Sequence, residues 1–226
     1  MKSRIFIISL VFSLFFWLGM NIWQGKAGNF LFSANVSGPL ENLPPAKNSG
    51  TPDLVLEAKA AISVLVFKNN EEKIIFEKNS QEQFPIASLA KLMSTDIVAE
   101  NLDLNKIVEI SKEAEAQSED IGNFKTGQSF FVKDLLYSSL IESSNDAIFA
   151  LAEVVCEDTF IELMNLEAEN IALESSNFKN LTGLDIKNKP SNYSTAQDLI
   201  KLTKHILEKS LIKEIISLPA FDIYKS

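Results

Sequence analysis

The order of the hydrophobic patterns constrains the fold of this chain more than any other feature. Two strand patterns, AAISVLVF at 60–67 and KIIFEKN at 73–79, flank Asn69-Asn70, a dipeptide typical of a hairpin turn. Every later pattern with clear periodicity is helical. The predicted helices lie at 88–101, 134–142, 146–156, 159–173 and 195–209. Strands first and helices afterwards indicate an α+β domain whose antiparallel sheet has only begun.

The composition excludes several classes of protein. The chain has 226 residues, of which 46% are hydrophobic, enough for a packed core. Its net charge is −9 and Arg4 is its only arginine, so a nucleic-acid partner is not expected, because phosphates are bound by clustered basic residues. Cys156 is the only cysteine, which excludes an intrachain disulfide. We expect it to be a buried, inert thiol in a helix.

The single histidine limits both metal and catalytic chemistry. His205 alone cannot form a multi-histidine metal site, and a Ser-His-Asp triad would require it to lie beside a serine. Its surroundings, IKLTKHILEK, predict an ordinary helix residue. We therefore expect no metal and no cofactor, and a hydrolytic base other than histidine.

The N-terminal segment predicts export. Residues 5–23 contain no charge and follow Lys2 and Arg4; as a helix they would span about 28 Å, close to the ~30 Å hydrocarbon core of a bilayer. Cleavage as a signal peptide after Ala27 is the alternative. The sequence thus divides into a cytoplasmic tip with an anchor or signal at 1–23, a Gly-, Pro-, Asn- and Ser-rich extracytoplasmic linker at 24–53, and a folded domain at 54–226.

A lone lysine in an apolar stretch is the main catalytic candidate. In FPIASLAKLMST, residues 84–95, Lys91 is the only charged residue, and a helix would place it one turn after Ser88. A serine hydroxyl needs a base to become a nucleophile. Lysine can act as that base only when it is neutral, which requires a lowered pKa, and burial among apolar residues lowers the pKa of lysine.

Spacing alone does not select this pair. Ser-x-x-Lys also occurs at Ser176/Lys179 and Ser210/Lys213, but the former lies in a polar loop and the latter near the end of the chain. Ser-x-Asn occurs three times, starting at Ser33, Ser143 and Ser175. Only Ser143 and Asn145 lie at a break between two apolar helices, where a hydroxyl and an amide can be held beside a cleft.

These motifs resemble those of a known family. Ser-x-x-Lys followed by Ser-x-Asn is typical of penicillin-binding proteins and class A β-lactamases. The sequence around these motifs, over about residues 54–210, is similar to the sequences of the D-alanyl-D-alanine carboxypeptidases, the low-molecular-weight penicillin-binding proteins. The similar stretches are FPIASLAKLMST, FFVKDLLYSSLIESSNDAIFALAE, and the segment from Phe160 to Leu207 with its Asn-x-x-Gly-Leu turn. The resemblance implies a β-lactamase/D,D-peptidase-like serine hydrolase fold.

The resemblance also implies roles for the site residues. Ser88 would attack the carbonyl between two terminal D-alanines of a peptidoglycan stem peptide, and Lys91 would accept its proton. Ser143 would relay a proton to the leaving amine, and Asn145 would bind the substrate backbone. β-Lactams would acylate Ser88. The domain would then lie outside a bacterial cell membrane, anchored by the N-terminal helix or secreted.

The family's third motif is expected well downstream of the second. The only Lys-Thr-Gly, Lys125-Thr126-Gly127, precedes Ser143 and instead resembles a turn before the second motif's helix. One helix and a short tail are predicted after Tyr193, which leaves no third motif. We therefore expect a truncated domain with weak or no hydrolysis of D-alanyl-D-alanine. The alternatives are a β-lactamase and a non-catalytic cell-wall module of the same fold.

Overall fold

The structure is a computed structural model that describes residues 55–117, 123–186 and 189–219. The predicted anchor or signal at 1–23 and the predicted linker at 24–53 lie outside these residues. Among the helices of the described ranges, none has both the length and the apolar composition that a membrane span requires.

The predicted β-hairpin is confirmed. β1 (Ala61–Val66) pairs antiparallel with β2 (Glu72–Lys78). In the turn, the Phe67 amide donates to the Glu71 carbonyl at 2.8 Å. Asn70 has a φ of 64° there, a left-handed conformation that asparagine adopts more readily than most residues. The two asparagines therefore set the turn, as the sequence pattern indicates.

Two further strand pairs are short and join distant parts of the chain. β3 (Phe84–Pro85) pairs with β6 (Tyr193–Ser194), and β4 (Ile107–Glu109) pairs with β5 (Ser129–Phe131), both antiparallel. Each sheet formed by the described residues thus has two strands. The β3–β6 pair brings the segment before Tyr193 next to the residues that precede Ser88.

Helices make up most of the regular secondary structure in the described residues, and the five predicted ones are confirmed with boundaries shifted by a few residues. A 3-10 turn at Ala87–Leu89 precedes the first. The helices are α1 (Ala90–Asn101), α2 (Lys112–Glu115), α3 (Val132–Ile141), α4 (Asn145–Glu153), α5 (Glu157–Asn170), α6 (Ala196–Leu207) and α7 (Ser210–Ile216). The prediction of a single helix after Tyr193 is wrong, because the chain turns at Lys209 and forms α7.

α1 is the central helix of the domain. It contacts α3, α4, α5, α6 and α7, and its residues from Ala90 to Val98 are buried except Leu92, which is half-buried. Its buried polar side chains are hydrogen-bonded: the Ser94 hydroxyl donates to the Leu181 carbonyl at 2.7 Å, and the Thr95 hydroxyl donates to the Lys91 carbonyl at 2.8 Å. A helix enclosed on all sides holds its side chains in fixed positions.

The hydrophobic core forms around α1. Many of its largest fully buried side chains come from five of the helices, and each contributes roughly 1.5–3 kcal/mol by leaving water. They include Met93, Leu135, Leu136, Ile148, Leu151, Phe160, Met164 and Leu202. The helices that carry the predicted site residues are therefore anchored in one core.

The prediction for Cys156 is wrong. Its thiol is exposed, and the residue lies between α4 and α5 rather than inside a helix. The reason is local, since Cys156 has a φ of 79°, which is not a helical conformation. The predicted helix through 146–156 stops short of the cysteine, because α4 ends at Glu153.

Candidate active site

Ser88 lies at the surface, in the 3-10 turn that leads into α1. The preceding residue, Ala87, has a φ of 45°, an unusual conformation for a residue with a side chain. Gly183 approaches it so closely that a Cβ at position 183 would lie 2.0 Å from the Ala87 carbonyl oxygen. Only glycine fits there, so the backbone of Gly183 supports the strained turn that presents Ser88.

Lys91 lies one helical turn after Ser88, and its side chain is buried, with 2% exposure. Its Nζ donates to the Ser88 Oγ at 3.3 Å and to the Thr182 carbonyl at 2.9 Å. The predicted burial of Lys91 beside Ser88 is confirmed. An amine at this distance from a hydroxyl is placed to exchange a proton with it. The neutral state of Lys91 stays a prediction.

A loop at residues 180–184 holds Lys91 from the opposite side. Asn180 stabilises the loop, because its Oδ1 accepts from the Gly183 amide at 2.7 Å and its Nδ2 donates to the Leu184 carbonyl at 2.7 Å. The loop thereby directs the Thr182 carbonyl at Lys91. The sequence motifs predict no site role for this loop, although the Asn-x-x-Gly spacing at Asn180 and Gly183 is a signal of its turn.

Ser143 and Asn145 lie at the predicted break between two helices. α3 ends at Ile141 and α4 begins at Asn145. Ser143 is exposed and has a φ of 60°, while Ser144 caps α4 by accepting from the Ala147 amide at 3.1 Å. Asn145 is buried at the first position of α4. The break therefore leaves Ser143 exposed and holds Asn145 at the buried start of α4.

A cleft of about 390 Å³ brings three of the four predicted residues together. Ser88, Lys91 and Ser143 line it, together with Ser139. Asn145 does not line the cleft. The remaining lining is apolar and consists of Ile86, Ala87, Leu89, Leu92 and Leu140. Lys91 is thus the only charged lining residue among those that the structure describes.

The early Lys-Thr-Gly lies in a surface turn, as predicted. The Lys125 side chain is 66% exposed and pairs with Glu115 at 3.2 Å. The Thr126 hydroxyl and amide both donate to Glu115, and these bonds, followed by the one from Lys125, lower the pKa of Glu115 to about 2. Lys125 does not line the cleft. Its contacts fix the turn before α3.

His205 belongs to a charged cluster behind α1. Its Nε2 lies 3.1 Å from the Asp96 Oδ2 and 3.4 Å from the Glu167 Oε1. With Glu100 these residues offer four donor atoms within 4.8 Å of one another, a set that could ligate a cation. The Lys209 ammonium contacts Asp96 and Glu100 directly. The cluster therefore has the character of an ion-pair network joining α1, α5 and α6, and the predicted ordinary helix residue has a structural role.

The arrangement defines a class of protein. A surface serine bonded to a buried lysine, with a second serine across the same cleft, is the arrangement of the Ser-x-x-Lys hydrolases that react with penicillin. Residues 47–219 match the family model described as D-alanyl-D-alanine carboxypeptidase. The chain belongs to this family.

Curated relatives agree with this assignment. The D-alanyl-D-alanine carboxypeptidase DacF of Bacillus subtilis is 33% identical over 172 residues, which are 72% of this chain and 43% of the relative. DacC of Escherichia coli is 33% identical over 148 residues, 60% of this chain and 36% of the relative. The chain thus spans less than half the length of these two relatives.

Solved structures show the same fold with mixed helix and sheet content. Penicillin-binding protein D2 of Listeria monocytogenes in its cefotaxime-bound form has a TM-score of 0.66 and 28% identity, covering 77% of this chain and 73% of that protein. A penicillin-binding protein homologue of Mycobacterium tuberculosis has a TM-score of 0.70 at 24% identity, covering 76% and 65%. The latter likeness shows the fold alone.

Proposed function

We propose that this chain is the catalytic region of a serine-type D-alanyl-D-alanine carboxypeptidase that acts on peptidoglycan stem peptides through an acyl-enzyme on Ser88. One observation carries the proposal: the buried Lys91 Nζ lies 3.3 Å from the exposed Ser88 Oγ. The relatives' names and the β-lactam-bound Listeria structures support the substrate class and the inhibitor class.

The reaction would proceed in two steps. The Ser88 Oγ attacks the carbonyl carbon between the two terminal D-alanines, and its proton passes to the Lys91 Nζ. Backbone amides at the start of α1 stabilise the oxyanion. The bond to the leaving amine breaks as Ser143 relays a proton to that nitrogen. Asn145 is buried and does not line the cleft, so its contact with the substrate backbone would require a shift at the start of α4. Water then hydrolyses the Ser88 ester, which releases the shortened peptide.

The substrate's terminal carboxylate needs a cation, and this limits the activity expected of these 226 residues. Between Asn145 and residue 226 the sequence contains no Lys-Thr-Gly. Lys125 is bound to Glu115 in a surface turn and does not line the cleft. We therefore expect acylation of Ser88 by a reactive β-lactam, but weak release of D-alanine.

The location proposed for the domain is extracytoplasmic. Residues 1–23 would be a membrane anchor or a cleaved signal, and residues 24–53 would be a linker to the folded domain of a bacterial wall enzyme. We also propose that the β1–β2 hairpin is part of a larger antiparallel sheet. The support is that β2 pairs with β1 alone among the described strands, which leaves its other edge open to a further strand.

Fluorescent penicillin labelling tests the proposed function. The full chain is incubated with the probe, and the labelled residue is located by peptide mapping. We expect a stable adduct on Ser88 that Ser88→Ala abolishes. Ser210→Ala is the matched control, because Ser210 also begins a Ser-x-x-Lys sequence at a helix start and is exposed, yet lies outside the cleft.

The same experiment separates the alternatives. An adduct that forms and is hydrolysed within seconds favours a β-lactamase. The absence of any adduct on correctly folded protein favours a non-catalytic cell-wall module. Either result would contradict the carboxypeptidase assignment.

A further inference from the structure

A third serine in the cleft has no assigned role. Ser139 lies on α3 and lines the cleft together with Ser88 and Lys91. Its side chain is 1% exposed, and its Oγ makes no hydrogen bond to any other residue that the structure describes. The neighbouring Ser138 is equally buried, but its Oγ donates to the Glu142 Oε2 at 3.0 Å. Of these two adjacent buried serines, Ser138 therefore has a hydrogen-bond partner for its hydroxyl and Ser139 does not.

A buried hydroxyl without a partner lowers the free energy of unfolding, because it has lost its bonds to water and gained none. Such groups are uncommon in folded proteins and require an explanation. An alanine at position 139 would fit the same space on α3 without this cost. The hydroxyl is therefore expected to find its partner in a state of the protein other than the empty cleft.

The cleft is the nearest source of such a partner. Rotation of Ser139 about χ1 moves the Oγ between staggered positions, and a serine changes rotamer at little cost. The lining residues nearest to Ser139 in sequence or on the facing helix are apolar, with Leu140 next to it and Leu92 on α1. A hydroxyl among such apolar residues can fix the orientation of a polar group that binds there.

We propose that Ser139 is a substrate-binding residue whose hydroxyl donates a hydrogen bond to an amide carbonyl of the acyl donor held in the cleft. This inference rests on the proposed function, since it names a contact of the same site. The contact would align the scissile carbonyl with the Ser88 Oγ. Replacing Ser139 with alanine would slow acylation of Ser88, because this contact with the acyl donor is lost. The same change would stabilise the folded state, because it removes a buried hydroxyl that has no hydrogen bond.

The test compares two serine-to-alanine variants in the full chain. For each we measure the second-order rate constant for labelling of Ser88 by a fluorescent penicillin, and the midpoint of thermal unfolding, Tm. Ser139→Ala is expected to label about 5- to 10-fold more slowly, the effect of losing one hydrogen bond, with a Tm equal to or above that of the wild type. Ser138→Ala is expected to label at the wild-type rate with a lower Tm, because it removes the hydrogen bond from the Ser138 hydroxyl to the Glu142 carboxylate.

A third variant separates hydrogen bonding from shape. Ser139→Cys keeps the form of the side chain but replaces the hydroxyl with a weak donor, so it should label as slowly as Ser139→Ala. A cysteine variant with the wild-type rate would overturn the inference, as would equal rates for wild type and Ser139→Ala. A slower rate accompanied by a lower Tm in Ser139→Ala would also overturn it, because the role would then be structural. No labelling of the wild type would overturn the proposed function and this inference together.

Discussion

Substitution of Gly183 by alanine tests how the fold presents Ser88. Gly183 has a φ of 89°, and a Cβ there would lie 2.0 Å from the Ala87 carbonyl oxygen and 2.7 Å from the Ser88 amide nitrogen. Cβ atoms in real proteins essentially never come within 3.0 Å of such atoms. Since both neighbours are backbone atoms, no side-chain rotation relieves the contact. The turn carrying Ser88 must move relative to the loop by about 1 Å, the difference between 3.0 and 2.0 Å.

The size of the effect follows from two contributions. An alanine in the left-handed conformation costs roughly 1–2 kcal/mol by itself. The displacement of the nucleophile adds a kinetic penalty, because a misplacement of about 1 Å can slow an enzymatic step by ~100-fold. Gly127 offers a matched control, since it has a similar φ of 81° but no atom within 4 Å of the position of a Cβ. Gly127→Ala therefore carries the conformational cost without the contact.

The assay measures Tm and the rate of Ser88 labelling by a fluorescent penicillin for both variants. For Gly127→Ala we expect a wild-type labelling rate and a Tm lower by roughly 2–8 °C, at about 2–4 °C per kcal/mol for a domain of this size. For Gly183→Ala we expect a larger fall in Tm and labelling slowed by ~100-fold. The contact between Gly183 and Ala87 does not position Ser88 if Gly183→Ala labels at the wild-type rate, or if Tm falls by the same amount in both variants.

Two further predictions concern lysines. Lys91→Met should slow labelling of Ser88 by roughly 10²- to 10⁴-fold while the protein stays folded. The control is Lys179→Met, because Lys179 is an exposed lysine in another Ser-x-x-Lys sequence, and this variant should label at the wild-type rate. Similar labelling rates in the two variants would exclude Lys91 as the base. Lys209→Met should destabilise the fold toward the lower end of ~3–5 kcal/mol, because it leaves the fully buried Asp96 carboxylate with His205 alone. Burial raises the pKa of Asp96 and Lys209 opposes that rise, so in the variant the folded state retains a proton that the unfolded chain releases. The stability deficit should therefore grow as the pH rises from about 4 to 7, and a deficit independent of pH in urea unfolding would contradict this account.

The parts of the site that the sequence predicted depend on short-range geometry. Ser88 and Lys91 are one helical turn apart, so their proximity follows once the helix is recognised. The break that holds Ser143 and Asn145 is marked by polar residues between two apolar helix patterns. The hairpin around Asn69-Asn70 depends on local turn chemistry in the same way.

The parts that the sequence did not predict depend on contacts between distant segments. The Thr182 carbonyl meets Lys91 across 91 residues, and Gly183 meets Ala87 across a similar separation. Neither contact leaves a periodic pattern in the sequence, because each depends on how the loop at 180–184 packs against the start of α1 and the turn before it. The exposure of Cys156 has a different cause. The hydrophobic pattern of α4 continues past Glu153, but the helix ends there, and Cys156 itself has a left-handed conformation that a helix does not accept.

The Thr182 carbonyl gives the loop a chemical role in the proposed reaction as well as a structural one. A neutral lysine amine has two N–H donors and one lone pair, whereas an ammonium has three donors. A carbonyl that accepts one N–H from Lys91 at 2.9 Å fixes the direction of the remaining positions on Nζ. The Ser88 Oγ lies 3.3 Å from the same nitrogen, so in the neutral amine this hydrogen bond can reverse, with the serine hydroxyl donating to the lone pair and α1 unmoved. Because the same carbonyl contact can persist in both protonation states, the amine can accept the proton from Ser88 and later release it toward Ser143 from one fixed position.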